Sequence, residues 1–138
     1  MGRLLAIDYG TKRVGLAVSD YMQVIATKLT TVPTVDIFPY LNEYMSREEV
    51  DAIVVGDPKQ MDNTPSESAK SVHIFVDALA KSFPDKDIYM IDERFTSKIA
   101  SQTIAKFSKK KKDKRDKGLV DTIAAVLILQ DFMEMRKK

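Results

Sequence analysis

The order of apolar segments predicts an α/β fold built on a mixed five-stranded sheet, an antiparallel meander plus parallel strands, flanked by helices. Three closely spaced strand-like segments come first, and helix-like and strand-like segments then alternate. Strands that are separated by helices usually pair in parallel through right-handed crossovers. The chain has 138 residues, within the roughly 100–200 residues typical of one domain. We therefore expect a single domain over residues 1–138.

The meander is predicted in the N-terminal part of the chain. Residues 3–9 and 14–19 are mostly apolar and are separated by a GTKR turn, as expected for two buried strands. Residues 24–32 are rich in Val, Ile and Thr, which favour strands. Pro33 is predicted to end this third strand.

The alternating part begins after Pro33. Residues 37–49 carry apolar side chains at helical spacing, and the apolar run at 51–58 is typical of a buried parallel strand. The later elements are predicted as a helix that begins near Thr64 or Ser66, a strand over 87–95, a helix after Thr96 and a helix over about 119–135.

Composition excludes several classes of protein. The chain has no cysteine, which excludes disulfides and thiolate zinc sites. The N-terminal residues enter a strand-like segment directly, without the pattern of a signal peptide. The apolar run at 123–129 is too short to cross a bilayer. We therefore expect a cytoplasmic protein without a membrane partner.

Positive charge is concentrated in one short segment. Residues 106–117 hold eight Lys or Arg and two Asp, whereas the formal net charge of the whole chain is only +2. Such a segment suggests a polyanionic partner. Charge runs of this kind are also common in solvated loops, so this segment alone leaves both interpretations open.

Acidic residues stand in three apolar segments, where burial of a charge is costly. Asp8 follows LLAI, Asp92 and Glu93 follow IYMI, and Asp121 lies within LVDTIAAVLIL. An ionised carboxylate in such surroundings needs a partner or a metal. Because sites form at strand ends in open α/β sheets, we expect these acids to converge. Oxygen ligands without His or Cys favour Mg²⁺ or Mn²⁺, and a pair of such ions can promote phosphodiester hydrolysis.

Each acid also has a purely structural interpretation. Asp8 can start the turn that follows it. Asp92 or Glu93 can pair with the neighbouring arginine, and only one of the two can join a cluster directly, since successive strand residues face opposite ways. Asp121 can accept backbone N–H bonds near a helix start.

Four segments resemble the signature blocks of the YqgF (RuvX) family over nearly the whole chain. They read IDYGTKRVGLAVSD, IVVGDPKQMD, DERFTSKIA and VDTIAAVLILQ. The resemblance implies an RNase H-like nuclease domain that acts in 5′-end maturation of pre-16S rRNA during ribosome biogenesis, with Holliday junction resolution on branched DNA as the alternative. It also implies that Asp8, Glu93 and Asp121 are catalytic and hold the metal ions. The chain departs from the family pattern at Asp57 and Asn63.

Basic residues near the first acid and in the basic segment are the candidate contacts to nucleic acid. Lys12 and Arg13 follow Asp8 closely, where side chains can meet a phosphate. The expected contacts in the basic segment are Lys109, Lys110, Lys111, Lys112 and Arg115. Such contacts make binding strongly salt dependent.

Two further interpretations remain beside the nuclease. The same fold could hold RNA during ribosome assembly without catalysis, with the acids as structural residues. The DYGT segment also resembles a phosphate loop of the sugar kinase and actin superfamily, but 138 residues leave no room for that superfamily's second lobe. The chain is expected to be a monomer or a homodimer, and cutting a symmetric DNA junction would require the dimer.

Overall fold

The computed structural model describes residues 2–57, 67–92 and 117–136. Five strands and three helices lie within these residues. The strands are β1 Arg3–Tyr9, β2 Arg13–Ser19, β3 Ala26–Pro33, β4 Val50–Asp57 and β5 Asp87–Asp92. The helices are α1 Ile37–Arg47, α2 Glu67–Ser82 and α3 Lys117–Arg136, and a 3₁₀ turn over Thr34–Asp36 leads into α1.

The five strands form one mixed sheet in the order β3-β2-β1-β4-β5. Pairing is antiparallel between β1 and β2 and between β2 and β3. It is parallel between β1 and β4 and between β4 and β5. The predicted meander with parallel extensions is therefore confirmed. The parallel partners need long connections, and α1 and α2 lie in those connections.

One face of the sheet is covered by α1 and α2. Leu5 and Ile7 of β1 are buried there together with Ile53 and Val55 of β4. The helices contribute, among others, Leu41 of α1 and Phe75 and Leu79 of α2. Because side chains alternate along a strand, the odd-numbered positions of β1 belong to this face.

The other face is covered by α3. Leu4, Ala6 and Val54 are fully buried against it. The helix contributes Ala125, Ile128, Leu129, Phe132 and Met133, whose spacing marks one stripe of α3. Even-numbered positions of β1 therefore point toward α3. None of the described helices has the length and apolar character to span a membrane.

The observed β3 begins two residues later than the sequence predicts. The backbone N–H groups of Val24 and Ile25 donate to Oδ1 of Asp20, at 2.8 and 2.9 Å. These bonds hold both residues in the β2–β3 loop, so the strand starts at Ala26. At its other end β3 includes Pro33, which an edge strand tolerates.

Several predicted elements fall wholly or partly outside the described residues. These are the start of the second helix near Thr64 or Ser66, the last residues of the strand over 87–95 and the helix after Thr96. The described part of the second helix begins at Glu67, and the last helix runs from Lys117 to Arg136, slightly longer than expected.

A serine connects β1 to the end of β2, and its loss should destabilise the fold. The Oγ of buried Ser19 accepts a hydrogen bond from the Leu4 N–H at 2.8 Å and donates to the Asp20 carbonyl at 2.9 Å. We expect Ser19→Ala to lower the free energy of unfolding by about 1–3 kcal/mol, because the buried Leu4 N–H loses its acceptor. Urea denaturation followed by circular dichroism measures this.

The matched control is Ser46→Ala. Ser46 Oγ donates to the Glu43 carbonyl at 2.6 Å, but on the exposed surface of α1, so the change should stay within about 0.5 kcal/mol. Equal losses in the two variants would contradict the role assigned to Ser19.

Candidate functional site at the carboxyl ends of the parallel strands

Acidic residues stand at the carboxyl ends of all three parallel strands. Asp8 is the penultimate residue of β1, and Asp57 and Asp92 end β4 and β5. Because these strands run in the same direction, their ends meet at one edge of the sheet. Ligand sites in open α/β sheets form at this edge.

Asp8 is half-buried on the face of the sheet that α3 covers. Across the strand pair, Asp8 is opposite Gly15 of β2. On the other side, Ile7 pairs with Val55, so the next position of β4 is Gly56. The positions directly beside Asp8 on both neighbouring strands therefore carry no side chain.

The position of Asp121 lies on the stripe of α3 that faces the sheet. It precedes Ala125 by four residues and Ile128 by seven, and both of these are buried against the sheet. Phe132, later in α3, packs against Tyr89 near the start of β5, with ring centroids 5.1 Å apart. The first turns of α3 therefore extend toward the carboxyl ends of the parallel strands.

The Asp92 position belongs to the opposite face of the sheet from Asp8. It pairs with Asp57 in the β4–β5 register, while the preceding residue, Ile91, packs on the α3 side. Alternation therefore assigns the Asp92 position to the α2 side. The neighbouring acid, Glu93, lies outside the described residues, as do Lys109, Lys110, Lys111, Lys112 and Arg115.

Asp57 has a histidine neighbour on the α2 side. Nε2 of His73 lies 3.6 Å from Oδ1 of Asp57, and the side chains are 60% and 14% exposed respectively. This contact becomes an ion pair when the imidazole is protonated. The carboxylate that departs from the family pattern is thus directed to α2, on the opposite face of the sheet from Asp8.

The turn after β1 is fixed by a residue that the sequence did not single out, Thr34. Its Oγ1 donates to the Gly10 carbonyl at 2.6 Å, and its N–H donates to the Lys12 carbonyl at 3.0 Å. Exposed Lys12 and half-buried Arg13 are therefore held on a fixed backbone beside Asp8. The signal was a threonine directly after Pro33, since Thr readily bonds nearby backbone when a strand ends.

Within residues 2–57, 67–92 and 117–136, no three His, Asp or Glu residues stand close enough together to hold a metal ion. Glu93 and the side chain of Asp121 are not among the described groups. Of the three acids that the family resemblance implies as metal ligands, the described residues therefore include the side chain of Asp8 alone.

Comparison with known families decides the relationship of the chain. Residues 2–135 match the model of the RuvX family, which is described as Holliday junction resolvase. The chain belongs to the RuvX family. The resemblance stated from the four sequence segments is thereby confirmed.

Relatives of this RuvX chain are similar over their full length. The proteins of Flavobacterium johnsoniae and Bacteroides fragilis are 46% and 47% identical over 137 residues, which cover 99% of this chain and 99% of each relative. That of Parabacteroides distasonis is 49% identical and is covered to 98%. All three carry the name "Putative pre-16S rRNA nuclease".

Solved structures agree on the fold. Thermus thermophilus RuvC in complex with a Holliday junction substrate superposes with a TM-score of 0.59 at 20% identity, over 99% of this chain and 96% of RuvC. RuvC alone gives 0.56 at 16% identity, over 98% and 96%. The RNase H-like fold expected for this RuvX chain is therefore confirmed.

A methyl group at Gly10 should disturb the turn beside Asp8. A Cβ built there would lie 2.6 Å from the Arg13 carbonyl oxygen, which is backbone and cannot swing away. We expect Gly10→Ala to lower the free energy of unfolding by about 1–3 kcal/mol, measured by denaturant titration. Lys12→Ala is the control, because only the backbone of Lys12 holds the turn; a loss as large in Lys12→Ala would contradict this account.

Proposed function

We propose that this chain is a metal-dependent endonuclease that hydrolyses phosphodiester bonds in the 5′-end maturation of pre-16S rRNA, in the cytoplasm. The observation that carries the proposal is the position of Asp8 at the carboxyl edge of the parallel strands, between two glycine positions and next to the turn that carries Lys12 and Arg13. The names of the relatives support the choice of substrate.

The donors suit a hard divalent cation. We propose that Asp8, Glu93 and Asp121 hold Mg²⁺ or Mn²⁺, since carboxylate oxygens are the ligands these ions prefer. Glycines occupy the neighbouring strand positions on both sides of Asp8. When bound, such ions supply Lewis-acid stabilisation of the charge that develops on the phosphate oxygens, in a one- or two-ion arrangement.

Strand alternation supports Glu93 over Asp92 as the acid from β5. The described strand assigns Asp92 to the α2 side together with Asp57. Asp8 and the position of Asp121 belong to the α3 side. A residue one position after Asp92 in an extended chain would face the same side as Asp8.

The basic side chains have a positioning role in this proposal. Lys12 and Arg13 stand on the turn that Thr34 fixes, next to Asp8. There they would orient a phosphate for attack by water and would not read sequence. Lys109, Lys110, Lys111, Lys112 and Arg115 would hold the backbone of the substrate farther from the scissile bond.

Holliday junction resolution is the second candidate function. It is favoured by the description of the family whose model matches residues 2–135. The same carboxylates would act on branched DNA, and a dimer would be needed to cut symmetric strands. The two candidates differ in substrate and not in chemistry, so one assay separates them.

Loss of the Asp8 carboxylate should abolish cleavage. End-labelled pre-16S rRNA fragment and a four-way DNA junction are incubated with the wild type or Asp8→Asn, in Mg²⁺ and in Mn²⁺. We expect the wild type to cut the RNA and Asp8→Asn to be slower by more than about 100-fold, because a metal ligand is removed. Asp36→Asn, which changes an exposed carboxylate in the 3₁₀ turn, should cut normally.

The result also selects among the alternatives. Preferential cutting of the DNA junction would favour the resolvase. Salt-sensitive RNA binding without cutting by either protein would favour a non-catalytic assembly module and would contradict the nuclease.

Asp92 and Glu93 should respond differently to loss of charge. We expect Glu93→Gln to abolish cleavage and Asp92→Asn to retain most of it, since the Asp92 position faces away from Asp8. Rates at saturating Mg²⁺ and the Mg²⁺ concentration at half-maximal rate test this. The reverse pattern would assign Asp92 to the metal and would show that the strand does not continue in register.

A further inference from the structure

The loop between β2 and β3 is held rigidly by one carboxylate. Asp20 accepts backbone N–H bonds from Val24 at 2.8 Å, Ile25 at 2.9 Å and Met22 at 3.3 Å. The bonds from Ile25 and Val24 hold the pKa of the Asp20 carboxyl below its usual range. The loop is thus fixed through its own backbone.

Gln23 strengthens this constraint at a strained position. Its φ of 58° lies in the left-handed region, which side chains other than glycine adopt only rarely. The side-chain Nε2 donates to the Gly2 carbonyl at 2.8 Å and to Oδ2 of Asp51 at 3.1 Å. Strain of this kind persists where surrounding contacts enforce it, and it is common at functional sites.

The fixed loop presents apolar side chains to solvent. Met22, Val24 and Ile25 are 71%, 61% and 62% exposed. These neighbours form a local apolar patch, unlike the scattered exposed apolar residues of ordinary surfaces. Their backbone is already ordered, so docking a partner onto them costs little conformational entropy.

A groove of about 530 Å³ separates this loop from α3. We call it the loop–α3 groove, and it is lined by Val24, Ile25, Ala26, Gln130, Asp131, Met133 and Glu134. One wall carries the apolar side chains of the loop, and the other carries the carboxylates of Asp131 and Glu134. Desolvation raises the pKa of the Asp131 carboxyl.

The loop–α3 groove lies at the opposite end of the sheet from Asp8. The end of β2 is beside the start of β1, as the pairing of Leu5 with Val18 shows. Asp8 pairs with Gly15 near the start of β2. A molecule in the groove would therefore leave the carboxyl edge of the parallel strands accessible.

We propose that the loop–α3 groove binds a basic polypeptide segment of another protein, in which apolar side chains alternate with Lys or Arg. The apolar side chains would pack on Val24 and Ile25, and the cations would pair with Asp131 and Glu134. The carboxylates of Asp131 and Glu134 favour a basic polypeptide over a phosphate backbone. This surface is independent of the proposed nuclease activity.

The probe is a short synthetic peptide of alternating Lys and Leu, added to the ¹⁵N-labelled full chain. We expect amide shifts confined to residues 22–26 and 130–134. A Lys–Ser peptide and a Glu–Leu peptide of equal length, and an RNA hairpin, should leave these resonances unchanged. Shifts of the same residues by the RNA hairpin, or equal binding of the Lys–Ser peptide, would overturn the proposal.

Variants locate the site. We expect Val24→Ser with Ile25→Ser, and separately Asp131→Asn with Glu134→Gln, each to weaken the Lys–Leu peptide about tenfold. The control, Val35→Ser with Ile74→Ser, alters side chains that are 87% and 70% exposed elsewhere and should bind normally. Equal weakening by the control would refute the site.

Thermal melts verify that the variants fold, which is expected because the loop bonds come from the backbone of Val24 and Ile25. A second copy of this chain is the remaining candidate occupant of the loop–α3 groove. Sedimentation velocity of the protein without peptide tests for it. Self-association that disappears in Val24→Ser with Ile25→Ser would assign the groove to a second copy of this chain and overturn the proposal.

Discussion

Strand alternation along β1 is the constraint on which the rest of the structure depends. Residues 4–7 of this central strand are completely buried, so each side chain must belong to one of two separate cores. Leu5 and Ile7 select the side of α1 and α2, and Leu4 and Ala6 select the side of α3. Because side chains alternate along the strand, the next residue, Asp8, faces the α3 side.

The same alternation of side chains separates two groups of acidic residues at the carboxyl edge of the parallel strands. Asp57 and the position of Asp92 belong with α2 and His73, whereas Asp8 and the position of Asp121 belong with α3. This separation keeps the positions of Asp57 and Asp92 away from Asp8, although these two positions lie side by side in the β4–β5 register. It also explains how the chain can carry Asp57, a departure from the family pattern, without placing another charge beside Asp8.

The fold was predictable because its signals are local. Apolar runs of strand length, the alternation with helical spacing and the position of Asp8 are all read within a few residues. The parallel pairing of the later strands follows from the helices that connect them. The predicted start of β3 was wrong because Val24 and Ile25 are residue types that favour strands. The Asp20 carboxylate accepts hydrogen bonds from their N–H groups, which therefore do not pair with β2. β propensity describes the residues themselves and does not include such a competing acceptor.

The contacts that complete the candidate site could not be predicted in the same way. Thr34 fixes the Gly10 carbonyl across 24 positions of sequence, and His73 meets Asp57 from another element. Both contacts depend on how the helices pack against the strands. The sequence pattern predicts the order of these elements but not their packing. The assignment of Asp8, Glu93 and Asp121 as ligands stays a prediction.

The sheet order has a consequence for synthesis of the protein. The three strands of the meander are complete within the first 33 residues, so their local pairing can begin while the chain is still being made. The stripe of α3 that closes over Leu4 and Ala6 comes from residues 125–133. A nascent chain therefore carries an open apolar face, and no enclosed site at Asp8, until translation is nearly finished. Any activity that needs α3 is in this way delayed until the whole domain can fold.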